Sequence, residues 1–119
     1  MALELTAEQI AVLERLATAG YEIVAFPMYA SAVGVRRGKC AALLERVEGR
    51  MRLLGEACWL VEGNLSVRVR RDGRAWFVWK NKQVEATEER VGEVEQFQED
   101  VKEILAGGVG GKGGGVRVQ

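Results

Sequence analysis

Histidine is absent from the 119 residues, proline occurs once and cysteine twice. Without imidazole the chain lacks the commonest general base and the commonest metal ligand. Cys40 and Cys58 form no CxxC pair, so no metal-ligand spacing is present. They read as two buried, reduced thiols, with a disulfide open only if the strands that carry them are neighbours. No run approaches the roughly 18 to 20 apolar residues of a membrane helix. Met1 to Leu5 includes Glu4 and carries no basic cluster ahead of an apolar run, which is not the pattern of a signal peptide. The expectation is a soluble, cytoplasmic protein without membrane contact and without a cofactor.

Neither sign of charge is in excess, since 17 Lys and Arg balance 17 Asp and Glu. That argues against a uniformly basic nucleic-acid binder and against an acidic disordered tail. The balance is not local. Residues 35–82 hold twelve bases against five acids, while residues 1–34 hold one base against four acids and residues 83–119 four against eight. A basic centre thus lies between acidic flanks. Pairing between sheet and helices accounts for such a pattern, and so does an anionic partner.

What is present is patterned at two periods. Thr6-Ala7-Glu8-Gln9 matches a capping box, and Ile10, Leu13, Leu16 and Ala17 follow at helical spacing up to Gly20, which predicts a helix over residues 7–19. Tyr21 to Phe26 is aromatic and β-branched, reading as a short strand closed by Pro27, and a second extended piece falls between Met28 and Arg37. Residues 39–48 fit either a helical face or a buried strand; local propensity favours helix, while the turn at Glu48-Gly49-Arg50 into Met51 to Leu54 favours a hairpin. Strand is the preferred reading. Cys58 to Val61, Leu65 to Arg71 and Arg74 to Lys80 then read as a meander with turns at Glu62-Gly63-Asn64 and Asp72-Gly73. Thr87 caps a last helix whose stripe of Val91, Val94, Phe97, Val101 and Ile104 runs to about residue 105. Seven of the nine residues from Gly107 to Gly115 are glycine, so residues 106–119 read as a flexible extension of a single domain over residues 1–105. The fold class expected is α+β: an antiparallel meander of four or five strands, with the N- and C-terminal helices packed on one face.

A two-residue loop at Asp72-Gly73 sets Arg71 against Arg74 and divides the hairpin into two faces. Leu65, Val67, Val69, Trp76 and Val78 make the natural core side. Ser66, Arg68, Arg70, Phe77 and Trp79 make the other, a mixture of cations and rings that suits a planar or anionic ligand, or a protein surface. Cys40, Cys58, Ser31 and Ser66 lack a base that the sequence nominates, and no carboxylate spacing selects an acid-base pair. Gly110-Gly111-Lys112-Gly113 departs from a phosphate-binding loop, because Gly113 replaces the hydroxyl residue and no helix follows. The functional expectation is a noncatalytic interaction module that associates through the Arg-aromatic face with itself, as a homodimer, or with another protein. The alternative is a single-stranded nucleic-acid or small-anion binder using the same face.

Overall fold

The computed structural model describes residues 5–26 and 31–107; the expectations for Pro27 to Ala30 and for residues 108–119 lie outside the described residues. Helix α1 (Ala7–Thr18) begins on the capping box. The Gln9 amide donates to the Thr6 hydroxyl at 3.1 Å, and the Thr6 amide donates to Gln9 Oε1 at 3.0 Å. The same side chains dock the helix, Gln9 Nε2 donating to the Arg50 carbonyl and the Thr6 hydroxyl to the Gly49 carbonyl, both at 3.3 Å. Gly20, with φ of 97°, turns the chain out of the helix.

Strands β1 (Glu22–Val24), β2 (Val33–Arg37), β3 (Cys40–Val47) and β4 (Arg50–Trp59) form one antiparallel sheet in that order. The ambiguous segment is strand. Pairing with β2 and β4 satisfies its backbone on both sides and buries Cys40 to Leu44 on both faces, an outcome that outweighs helix propensity. β4 joins what the sequence presents as two strands. Between the pairs Ala41–Cys58 and Leu43–Leu54, one residue of β3 faces three of β4, and Gly55 takes φ of 76° within that bulge.

Strands β5 (Val67–Arg71), β6 (Arg74–Trp79) and β7 (Lys82–Glu85) make a second antiparallel sheet in that order. The class is α+β as expected, with seven strands in two sheets among the described residues where one meander of four or five was anticipated. β7 follows a two-residue turn at Lys80-Asn81, in which Lys80 takes φ of 55°. Helix α2 (Glu88–Leu105) is capped by Thr87, whose hydroxyl accepts from the Arg90 amide at 3.2 Å. Val12 and Leu16 of α1 and Val94, Phe97, Val101 and Ile104 of α2 meet Val33, Val35, Ala42, Leu44 and Met51 on one face of the four-stranded sheet. Phe77 of the second sheet enters the same core, with Trp79 and Val84 packed against it. No helix among the described residues is long and apolar enough to cross a membrane.

Candidate functional site

The Asp72-Gly73 turn has both residues at positive φ, 50° and 77°, and the hairpin takes the expected register: Arg71 faces Arg74, Arg70 faces Ala75, Val69 faces Trp76, Arg68 faces Phe77 and Val67 faces Val78. Register and face are separate questions, and the face is the reverse of the expected one. Phe77 is 2% exposed and its ring stacks on Trp59 with centroids 6.2 Å apart. Trp79 is half-buried against the core, with the Lys80 ammonium 5.1 Å from its ring centre. Ser66 is half-buried and donates its hydroxyl to the Trp59 carbonyl at 2.6 Å. Arg68 and Arg70 are exposed on the same side, toward the hairpin tip. The cations and rings are therefore neighbours, but the rings are spent on packing and form no solvent-open platform. The physical reason lies in strand position. β6 is the central strand of its sheet, so its large rings are drawn into the core, whereas the valines of the edge strand β5 carry less apolar area.

The side left facing outward is the one expected to be core. Val67 is 66% exposed, Val69, Trp76 and Val78 are half-exposed, and Arg71 and Arg74 stand at one end of this apolar band. Gln83 lies opposite Val78 and Glu85 opposite Trp76 at the other margin. Sequence reasoning missed this surface because it read the valine alternation of β5 as the core signal.

The electrostatics single out the same hairpin. Part of the basic centre pairs internally: Arg36 with Glu22, Arg52 Nε with Glu45 at 2.6 Å, Lys82 with Glu62 at 3.8 Å, and Arg37 of β2 with Asp100 of α2 at 3.0 Å. Arg68, Arg70, Arg71 and Arg74 are all exposed and make no ion pair with the described residues. Internal pairing thus accounts for part of the basic centre and stops short of the β5–β6 tip, where four arginines surround one acid, Asp72.

The thiols are differently placed. Cys40 pairs with Trp59 and Cys58 with Ala41, so they project from opposite faces of neighbouring strands and both are free. Burial, reinforced by Glu93, pushes Cys40 up to about 11, and burial also raises Cys58 against the opposing effect of the Ser66 amide, which donates to its sulfur at 3.4 Å. Such thiols are poor nucleophiles at neutral pH. Among the described residues no group of three or more Cys, Asp or Glu is placed to hold a metal ion. Comparison with protein-family models, with curated proteins and with solved structures returns no match to this chain.

Proposed function

We propose that this protein is a noncatalytic interaction module that binds an acidic, apolar-containing polypeptide through the outward face of the β5–β6–β7 sheet. The observation that carries this reading is the apolar band of Val67, Val69, Trp76 and Val78 ending in Arg71 and Arg74, which make no ion pair with the described residues. Arginine and tryptophan are the side chains that most often dominate protein interfaces, and an arginine without an internal partner has its full charge to offer. A partner that brings carboxylates to Arg71 and Arg74 and apolar groups to Trp76 matches both halves of the surface. The reading places the protein in a reducing, cytoplasmic setting, which two free thiols on opposite sheet faces support.

Single-stranded nucleic acid is the second occupant to test, favoured by the same arginines and disfavoured by the burial of Phe77 and the packing of Trp79, which leave Trp76 as the one ring among the described residues of that face where successive bases need several. A chain with Trp59 and Trp79 replaced by Phe leaves Trp76 as the sole indole, and its emission follows both ligands. An acidic peptide of alternating Glu and Leu is expected to shift Trp76 emission with moderate salt dependence. A ten-nucleotide oligothymidylate that shifts it more tightly, with a steep salt slope, would transfer the reading to nucleic acid. Dimerisation in light scattering, with neither ligand effective, would assign the face to a second copy.

A further inference from the structure

The connection between β4 and β5 begins as a hairpin and then opens. Val61 and Asn64 exchange both backbone hydrogen bonds at 2.9 Å across a turn in which Glu62 and Gly63 take φ of 53° and 78°. In a continuing antiparallel ladder, Trp59 with Ser66 and Ala57 with Arg68 would be the next hydrogen-bonded pairs. Side chains stand in for both. The Trp59 carbonyl accepts from the Ser66 hydroxyl at 2.6 Å, and the Ala57 amide donates to Oε1 of Gln98 on α2 at 2.7 Å. β4 and β5 therefore each end their own sheet, and they face one another across a cleft of about 570 Å³.

The walls of that cleft are main chain. Leu60 donates to the Lys39 carbonyl at 2.7 Å on the β3 side, so alternation turns the backbone groups of Trp59 and Ala57 toward β5. On β5, the pair Arg71–Arg74 that closes the two-residue loop is hydrogen-bonded to β6, so the N–H and C=O of Arg68 turn toward β4. Phe77 of β6 and Val94 of α2, both almost fully buried, lie at the floor of the cleft, Arg68 supplies a cation from one wall, and Glu56 and Glu95 supply carboxylates from the other wall and from the helix.

We infer that this cleft is a strand-addition site, which takes an extended segment of a partner polypeptide between β4 and β5. The inserted main chain accepts from the Ala57 amide in place of Gln98 and pairs with Arg68 on its other edge, joining the two sheets. Its alternate side chains face Phe77 and Val94, and the charges it carries are an acid opposite Arg68 and a base opposite Glu56 and Glu95. Gln98 acts as a placeholder that keeps the edge donor satisfied while the cleft is empty of peptide. The site is distinct from the outward face of β5–β7 and stands or falls separately.

The test selects a random heptapeptide phage library on the immobilised full-length chain, then titrates synthesised winners while backbone amides are followed by NMR. Enriched peptides are expected to alternate apolar and charged residues and to shift and protect the amides of Ala57 and Arg68. Methylating alternate peptide nitrogens is expected to weaken binding at least tenfold. Gln98→Ala is expected to tighten it several-fold, because the competing acceptor is gone, and Arg68→Glu to weaken acid-bearing peptides about tenfold. Arg68 is exposed, so that second variant decides the matter even if Gln98→Ala fails to fold. No enrichment over bare support, or indifference to N-methylation, would overturn the inference. Peptides that move only Val69 and Trp76 would overturn it too, while leaving the outward-face reading intact.

Discussion

Arg37 donates through Nη2 to Oδ2 of Asp100 at 3.0 Å while its guanidinium lies 4.5 Å from the centre of the Tyr21 ring. The contact ties β2 to α2 beside the end of α1, and its two partners are unequally exposed: 39% for the Arg37 side chain and 8% for that of Asp100. Removing Arg37 leaves a nearly buried carboxylate supported by Gln96 Nε2 at 2.9 Å. Removing Asp100 leaves a guanidinium that keeps water and the rings of Tyr21 and Phe97. Arg37→Ala is therefore expected to cost about 3 kcal/mol and Asp100→Ala only about 1 to 2 kcal/mol in urea unfolding, because an orphaned buried charge outweighs the lost attraction. Equal losses would show that the burial difference has no energetic weight.

The reversed hairpin makes an opposite pair of expectations. Phe77→Ala removes a fully packed ring from the core and should cost roughly 3 to 5 kcal/mol. Val67→Ser acts on an exposed side chain and should stay within about 0.5 kcal/mol. Were the expected core side the true one, the ranking would invert, and thermal unfolding of the two variants reads it directly.

Burial of the thiols has a pH signature. A thiol whose folded pKa is raised keeps its proton in the native state while the unfolded chain gives it up, so the unfolded state binds fewer protons and stability falls as pH rises. For Cys40 the window runs from 9.0 to about 11, and the loss across it is on the order of 2 kcal/mol. Cys40→Ala should reduce that alkaline slope and leave the part due to the raised Cys58. At pH 7.5 both thiols should react with an aromatic disulfide reagent at least a hundredfold more slowly in the folded chain than in denaturant, and fast native labelling would contradict the packing of β3 against β4.

Much of the fold is legible where local chemistry decides it. Thr6 and Thr87 announce both helix starts, and Asp72-Gly73 fixes the β5–β6 register, because capping and positive φ depend on a few adjacent residues. The face of that hairpin is not legible, since Ala75-Trp76-Phe77-Val78-Trp79 is apolar at both parities and a period of two cannot choose between them. The choice is made by Trp59, which stacks on Phe77, and by α2, elements that no hairpin-local pattern contains. Of the candidate residues, Arg68 and Arg70 are exposed and without ion pairs among the described residues, while Phe77, Trp79 and Ser66 are committed to packing and hydrogen bonds. The cleft between β4 and β5 left one trace in the sequence, Gly55 interrupting a run of strand residues, which is the usual mark of a bulge. Gln98, which completes that cleft, lies 41 residues beyond the amide it accepts from.

The basic tip also sets a salt expectation. Arg68, Arg70, Arg71 and Arg74 make no ion pair with the described residues, so their mutual repulsion opposes the folded hairpin. Raising salt from 20 to 500 mM should shift the melting temperature of the chain more favourably than that of its Arg71→Gln/Arg74→Gln form, in which the other ion pairs are unchanged. An equal or larger gain in the doubly substituted chain would contradict repulsion among these arginines.

The central claim, that Arg71 and Arg74 select an acidic partner beside Trp76, is tested most directly by exchanging the charges on both sides. The Trp76-only chain and its Arg71→Glu/Arg74→Glu form are each titrated with the Glu-Leu peptide and with the same peptide carrying Lys for Glu. The account predicts that the first chain binds the acidic peptide at least tenfold more tightly than the basic one, and that the reversed chain inverts this preference. Retention of the acidic preference in the reversed chain would contradict it.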